Sequence, residues 1–207
     1  MAGDYSTEQE RFWAGEFGDE YVQRNRGDRL LSGKIHLFSK ILAKTLKVGS
    51  VLEFGANIGL NLKAIKMFLP DAKLGAIEIN PAAVHELKAW GETEIFHQSI
   101  LDFAPSEPWD FVFTSGVLIH INPDMLSRVY DLLYQASGRY VGIIEYYNPT
   151  PVAIPYRGHE DRLFKRDFAG DILDRFSDLK LVDYGFVYHR DQNFPMDDPT
   201  WFLLEKG

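Results

Sequence analysis

Residues 51–61 read Val-Leu-Glu-Phe-Gly-Ala-Asn-Ile-Gly-Leu-Asn, and this stretch decides the fold. The apolar run at 51–54 is typical of a buried strand, and Gly55 ends that run. Apolar side chains at helical spacing follow from Leu60 until Pro70. The sequence therefore predicts a strand, a tight glycine turn and a helix, with the turn at the carboxyl end of the strand.

The same alternation of strand and helix recurs along most of the chain. Further strands are predicted at 74–79, 94–98, 111–114 and 140–146, and further helices at 6–24, 34–46, 81–90, 125–136 and 167–176. Because parallel strands are joined by crossover helices, this order predicts an α/β fold with a mostly parallel sheet.

The carboxyl-terminal part of the chain breaks the alternation. Two strand-like runs, 181–189 and 201–205, are joined by a loop that contains Pro195 and Pro199 but no helical pattern. Strands that follow one another without a crossover helix pair antiparallel. We therefore predict a Rossmann-like three-layer sandwich with a seven-stranded, mostly parallel sheet and an antiparallel terminal hairpin.

The composition is that of one ordinary globular domain. The chain has 207 residues, of which 45% are hydrophobic and 25% charged, and its formal net charge is −8. We expect a single domain over residues 1–207, with a helical lid at 1–47 and a core at 48–207. An acidic chain repels a phosphate backbone, so nucleic acid is not an expected partner.

The chain contains no cysteine, which removes disulfides, thiolate metal ligands and cysteine nucleophiles. Its six histidines show no metal-ligand spacing, so no metal site is predicted. Neither a signal-peptide pattern nor a long apolar window is present, and we expect a cytoplasmic protein with no membrane partner. The sequence leaves the oligomeric state open.

Ligands of open α/β sheets bind beyond the carboxyl ends of the strands, and acidic residues end the first two strands here. Glu53 ends the first, and Glu78 ends the second, 19 residues after Gly59, where an acid would hydrogen-bond ribose hydroxyls. Asn57 occupies the position where a dinucleotide-binding turn needs glycine against the pyrophosphate. The pattern favours a ligand with adenosine but no pyrophosphate over the NAD of an oxidoreductase.

These motifs together resemble the class I S-adenosylmethionine-dependent methyltransferases. The resemblance rests on Glu53 to Gly59, on Glu78, and on the segments 96–102 and 109–120, in that order along the chain. It implies S-adenosylmethionine as cofactor, S-adenosylhomocysteine as product, and methyl transfer to an N or O atom of a small-molecule acceptor.

The segments 12–25 and 156–168 resemble, more narrowly, methylases associated with pseudaminic acid biosynthesis. That likeness implies an amino sugar or nucleotide-linked sugar as acceptor, in surface polysaccharide biosynthesis. Two alternatives stay open: a methyltransferase that acts on a protein or nucleic acid, and a noncatalytic module that binds S-adenosylmethionine.

The resemblance also implies which residues surround the cofactor. Ser99 stands where the family commonly has an aspartate that reaches the adenine amino group, and Ile100 would offer its N–H to the ring. The implied cofactor-binding set is Trp13, Tyr21, Arg24, Asn25, Glu53, Gly55, Asn57, Gly59, Glu78, Ile79, Ser99, Ile100, Ser115, Gly116 and Val117.

Candidates for catalysis and acceptor binding follow from the chemistry of methyl transfer. An N or O acceptor must lose a proton, and His120 is the first candidate base, with His159 the second. An anchoring role for His120 is equally open. The candidate substrate-binding residues are Glu145, Tyr146, Tyr147, Tyr156, Arg157 and Arg162. The mixed charges at 157–166 favour the start of a solvated helix over a grip on an anionic substrate.

Overall fold

The computed structural model describes residues 5–207, so residues 1–4 of the predicted lid lie outside the described residues. The helices are α1 (Glu8–Ala14), α2 (Glu16–Arg24), α3 (Asp28–Leu42), α4 (Leu60–Phe68), α5 (Pro81–Trp90), α6 (Leu126–Ala136) and α7 (Phe168–Arg175). The strands are β1 (Ser50–Phe54), β2 (Lys73–Glu78), β3 (Glu94–His97), β4 (Trp109–Ser115), β5 (Ser137–Glu145), β6 (Val152–Tyr156), β7 (His159–Lys165), β8 (Leu179–Phe186) and β9 (Thr200–Lys206).

Seven strands form one sheet in the order β3-β2-β1-β4-β5-β9-β8. The strands from β1 to β5 pair in parallel, whereas β9 pairs antiparallel with both β5 and β8. The predicted α/β class, the mostly parallel sheet and the antiparallel terminal hairpin are therefore confirmed. The strand order reverses between β1 and β4, which is where open α/β sheets bind their ligands.

Helices cover both faces of this sheet. On one face, Val129 of α6 and Ile172 of α7 pack with Val112 and Val141 of the sheet. On the other face, Phe38 of α3 is fully buried, and its ring lies 5.2 Å from that of Phe113. The helix α3 therefore belongs to the packed core layer, although it lies within the first 47 residues.

The predicted helix at 6–24 is in fact two helices, because the backbone becomes extended at Gly15 (φ −102°, ψ −157°). The first of them, α1, begins with a capping box. The Thr7 side chain accepts a hydrogen bond from the Glu10 N–H, and the Glu10 carboxylate accepts one from the Thr7 N–H.

No helix of the described residues is long and apolar enough to cross a membrane.

The predicted helix start at 157–166 is wrong, because these residues form a β-hairpin of β6 and β7. The two residues of its turn, Arg157 and Gly158, both have positive φ (50° and 84°), as mirror-image hairpin turns require. Leu163 faces the core and is 5% exposed, whereas Glu160 and Asp161, earlier in the same strand, are exposed. The high charge of the segment hid this alternation in the sequence.

We predict that Gly142→Ala destabilises the sheet by about 1–3 kcal/mol through overpacking. A Cβ at Gly142, in the middle of β5, would lie 2.8 Å from the Phe111 ring and 2.9 Å from the Phe113 Cβ. Urea denaturation measures the loss. Gly138→Ala is the matched control in the same strand, since its nearest neighbour would be 3.3 Å away. Equal effects of the two substitutions would contradict this packing.

Candidate functional site

A pocket of about 1170 Å³, its mouth included, opens at the carboxyl edge of the sheet, where the strand order reverses. The ends of β1, β2 and β4 form its floor, and α1 and α2 cover it. Pockets for small ligands in open α/β sheets commonly lie at this topological position.

The turn after β1 shapes the floor of the pocket. Gly55, Asn57 and Gly59 all have left-handed backbone (φ 75°, 48° and 76°), which favours glycine and is tolerated by asparagine. A Cβ on Gly55 would lie 2.6 Å from a methyl group of Val117, which also lines the pocket. The glycine thus allows the turn after β1 to approach the loop after β4.

Glu78 ties this turn to the end of β2. One of its carboxylate oxygens accepts the Asn57 N–H at 2.6 Å, and the other accepts the Asn80 N–H at 2.8 Å. Burial raises the pKa of Glu78, and the hydrogen bonds from Asn80 and Asn57 oppose that shift. Each oxygen has a second lone pair, so the carboxylate can accept further hydrogen bonds from a ligand.

Glu53 lies at the end of β1 and is almost fully buried. The Asn61 amide donates to its Oε1 at 2.5 Å. Burial raises the pKa of Glu53 to about 8, while the Asn61 hydrogen bond and the Lys34 ammonium oppose the shift. At pH 7 the side chain is therefore mostly protonated, and it would ionise if a cationic group were placed beside it.

The pocket collects buried polar atoms that have no hydrogen-bond partner within residues 5–207. They are Gln9 Oε1, Trp13 Nε1, Glu53 Oε2, Asn57 Oδ1 and Asn61 Oδ1. A buried polar atom without a partner costs about 1–3 kcal/mol, so such atoms are few in native proteins. Their concentration in one pocket indicates that the site takes a polar ligand.

The helices α1 and α2 are fastened over the pocket by the loop after β2. The Asn80 amide donates to the Trp13 carbonyl oxygen at 3.2 Å and to the Asp19 carboxylate at 2.9 Å. Gly18 makes this approach possible, because a Cβ there would lie 2.7 Å from the Asn80 amide nitrogen. Trp13 and Tyr21, whose rings are 5.3 Å apart, line the pocket beneath.

His120 lines the pocket in the loop after β4. Its Nδ1 lies 2.5 Å from the Arg162 carbonyl oxygen, which can only accept, so Nδ1 carries the proton and Nε2 keeps a lone pair. Burial lowers the pKa of His120 to about 4. The ring is thus neutral at pH 7 and suited to accept a hydrogen bond from an acceptor group, but it is a weak base.

The structure brings most of the predicted site residues into this pocket. Those that line it are Trp13, Tyr21, Asn25, Glu53, Gly55, Asn57, Glu78, Ile79, Ser99, Ile100, Ser115, Gly116, Val117 and His120. Those that do not line it are Arg24, Gly59, Glu145, Tyr146, Tyr147, Tyr156, Arg157, His159 and Arg162.

Glu145 faces the protein rather than the pocket. Its buried carboxylate accepts hydrogen bonds from the backbone N–H groups of Val117 and Leu118 at 3.0 and 3.1 Å, and from the Thr114 hydroxyl. Burial raises the pKa of Glu145 to about 7, and these hydrogen bonds oppose the rise. Through these hydrogen bonds Glu145 fixes the loop after β4, which carries His120.

Arg162 and His159 join the β6–β7 hairpin to α1. The Arg162 guanidinium lies 3.3 Å from the Glu8 carboxylate and 5.4 Å from the centre of the Phe12 ring. The ring of His159 packs against Phe12 at 5.1 Å and Phe17 at 6.1 Å. Both side chains therefore lie behind the covering helices rather than within the pocket.

Sequence reasoning missed several polar side chains of the pocket, above all Glu10, Lys34 and Asn61. Of these three, Glu10 alone belongs to a recognisable sequence pattern, the spacing Thr7-x-x-Glu10 of a capping box. That pattern predicts the start of a helix and does not indicate a ligand site. Among the described residues, no group of three or more acids and histidines is arranged to hold a metal ion.

Comparisons with known proteins find similarity in structure only. No protein-family profile and no curated protein sequence matches the chain. A solved structure of magnesium protoporphyrin IX methyltransferase from Synechocystis PCC 6803, with bound S-adenosylmethionine, matches at a TM-score of 0.68 and 12% identity. The match covers 99% of this chain and 100% of that one.

Two further structures match over nearly the whole chain. One is 1,6-didemethyltoxoflavin-N1-methyltransferase from Burkholderia thailandensis, with TM-score 0.68, 14% identity and coverage of 96% of this chain and 86% of that one. The other is a plantazolicin methyltransferase in complex with S-adenosylhomocysteine, with a TM-score of 0.64 and 14% identity. That match covers 96% of this chain and 94% of the methyltransferase. The chain shares the class I fold of these S-adenosylmethionine-dependent methyltransferases.

Proposed function

We propose that the protein is an S-adenosylmethionine-dependent methyltransferase that acts on a small polar acceptor. The observation that carries the proposal is a set of buried polar atoms without a hydrogen-bond partner among residues 5–207, in one pocket lined by two buried acids, Glu53 and Glu78. Solved structures of similar fold support it, because the three methyltransferases named in the preceding section were all solved with S-adenosylmethionine or S-adenosylhomocysteine bound.

The residues of the pocket fit this cofactor. Glu78 would accept hydrogen bonds from the ribose hydroxyls through the lone pairs that Asn57 and Asn80 leave unused. Glu53, whose Oε2 has no partner within residues 5–207, would hold the ammonium group of the amino acid part. When bound, the cofactor supplies a methyl group made electrophilic by the sulfonium to which it is attached.

The same pocket disfavours a dinucleotide. A pyrophosphate needs bare backbone at the middle of the turn after β1. Asn57 stands there with left-handed backbone, its N–H is used by Glu78, and its Oδ1 is buried in the pocket. The Asn57 Oδ1 is an acceptor, so it would repel the negatively charged oxygens of a pyrophosphate bound at this position.

The acceptor would lie near His120, under an aromatic cover. The ring of Trp13 lies 4.6 Å from that of His120, and the ring of Tyr156 lies 5.0 Å from it on the hairpin side. Methyl transfer mainly requires that the acceptor atom be held in line with the methyl group. The Nε2 of His120 would orient the N–H or O–H of the acceptor and take up its proton as the bond forms.

Within this proposal the acceptor carries a hydroxyl or an amine, and the sequence resemblance implies an amino sugar or nucleotide-linked sugar. Tyr156, whose ring lies 5.0 Å from that of His120, ends β6, and Arg157 follows it in the turn of the hairpin. Tyr146 and Tyr147 follow β5 at the same edge of the sheet. The Arg157 guanidinium would pair with an anionic group of such an acceptor.

We predict that the protein binds S-adenosylhomocysteine and that Glu78→Gln weakens binding on the order of 50-fold, because charge-assisted hydrogen bonds to the ribose are lost. Isothermal titration calorimetry measures both affinities. Glu92→Gln is the control, since Glu92 is exposed, lies outside the pocket and pairs with Lys66. No heat of binding with the natural sequence, or tighter binding of NADH, would refute the proposed function.

We also predict that binding depends on the ionisation of Glu53. Because burial raises its pKa to about 8, the free protein holds a proton there at pH 7, and the ammonium group of the ligand would displace it. Affinity should therefore rise between about pH 6 and pH 8, with release of up to about one proton. Calorimetry in buffers of different ionisation enthalpy measures that proton.

Glu53→Gln removes this titratable group and should abolish both the proton release and the rise in affinity with pH. Glu92→Gln should leave both unchanged. If the proton release persists in Glu53→Gln, the assignment of Glu53 to the ammonium group fails.

A further inference from the structure

The carboxylate of Glu10 on α1 is a buried acid in the wall of the pocket that the proposed function has not used. Only 8% of the residue is exposed, and it lines the pocket together with Ser99, Ile100 and Leu101. An acid this buried in a pocket wall requires donors, either from the protein or from a ligand.

The protein supplies donors to one of its oxygens. Oε2 accepts the Ser6 hydroxyl at 2.7 Å, the Thr7 N–H at 2.7 Å and the Thr7 hydroxyl at 3.0 Å. Oε1 accepts none of these three bonds. The Ser99 hydroxyl also hydrogen-bonds the carboxylate, and Oε1, with two lone pairs, can still accept a donor from a ligand. Burial works to raise the pKa of Glu10, but hydrogen bonds from Ser99, Ser6 and Thr7 outweigh it and hold the pKa below its usual value. Glu10 is thus a charged acceptor at neutral pH.

The topology places Glu10 at the end of the pocket where a purine would lie. Ribose on Glu78 sits over β2, and the methyl group must point toward β1 and β4, where His120 lies. The base then extends toward β3 and the loop after it. That loop carries Ser99 and Ile100, and the Ile100 N–H donates to no group of residues 5–207.

We propose that Glu10 accepts a hydrogen bond from the 6-amino group of the bound adenine and so makes the protein specific for an adenosyl ligand. The proposal rests on the proposed function, since it names how one part of that cofactor is recognised. The Ser99 hydroxyl accepts the Leu101 N–H at 3.1 Å and hydrogen-bonds the Glu10 carboxylate, and as an uncharged group it is a weaker acceptor than that carboxylate. Recognition would therefore come from the covering helix α1 and would couple binding to its closure.

The competing explanation is that Glu10 only caps α1. A capping role uses the hydrogen bond to the Thr7 N–H, which a glutamine also makes. It makes no distinction between a 6-amino and a 6-oxo purine. Glu10→Gln therefore separates the two roles, because it retains the cap but removes the charge and supplies an N–H donor.

The test compares S-adenosylhomocysteine with S-inosylhomocysteine, in which a 6-oxo group replaces the amino group. We expect the natural sequence to bind the inosyl compound on the order of 100-fold more weakly, because an acceptor would face the Glu10 carboxylate. Glu10→Gln should reduce this ratio at least about tenfold, since its amide can donate to the 6-oxo group. Glu8→Gln, on the same turn of α1 but exposed, should leave the ratio unchanged.

Hydrogen exchange of the natural sequence gives a second readout that requires no variant. Saturating S-adenosylhomocysteine should protect the amides of Glu8–Ala14 more than saturating S-inosylhomocysteine does. Equal affinities and equal protection, or an unchanged ratio in Glu10→Gln, would overturn the role of Glu10 while leaving the proposed function intact. Binding of neither compound would overturn both.

Discussion

A continuous chain of hydrogen bonds through Glu78 and Asn80 organises the site. The Glu78 carboxylate holds the Asn57 N–H in the turn after β1 and the Asn80 N–H after β2, and the Asn80 side chain holds Trp13 and Asp19 of the covering helices. The turn, the second strand and the cover thus share one buried acid. Without it, the left-handed turn, the Asn80 loop and the helices above them would have no common anchor.

This arrangement explains why the ligand site is assembled from parts far apart in the sequence. The sheet supplies Glu53 and Glu78 on a rigid floor, and the cover supplies Trp13, Tyr21 and Glu10. Residues on strands are positioned accurately by sheet packing. The helices α1 and α2 are held instead by polar contacts with the loop after β2 and by contacts with the β6–β7 hairpin. A cover held through loop and hairpin contacts can open for exchange of ligand and close when the ligand completes its hydrogen bonds.

Local patterns predicted the parts of the fold that depend on local forces. The stretch 51–61 indicated its strand, turn and helix because apolar spacing and glycine positions act within a few residues. The terminal hairpin followed from the lack of a helix between β8 and β9. The hairpin of β6 and β7 was missed because its buried face rests on Leu163 and a few half-buried neighbours among many charges.

The floor of the site was likewise predicted by position, since Glu53 and Glu78 end their strands. For the covering helices, the sequence predicted a helical segment and the residues Trp13, Tyr21 and Asn25, but not the other polar residues that line the pocket. Glu10 and Lys34 reach the pocket through tertiary packing of α1 and α3, which no local pattern encodes, and Arg162 turns toward Glu8 for the same reason. Glu145 shows the converse case, because a strand-end acid can serve the backbone of a neighbouring loop instead of a ligand.

A crystal structure with S-adenosylhomocysteine tests the central claim most directly. The account predicts the ribose hydroxyls within hydrogen-bond distance of the Glu78 carboxylate, and the amino group beside Glu53. It predicts the base between the loop after β3 and α1. A ligand bound elsewhere, or a Glu78 side chain turned away from the ribose, would contradict it.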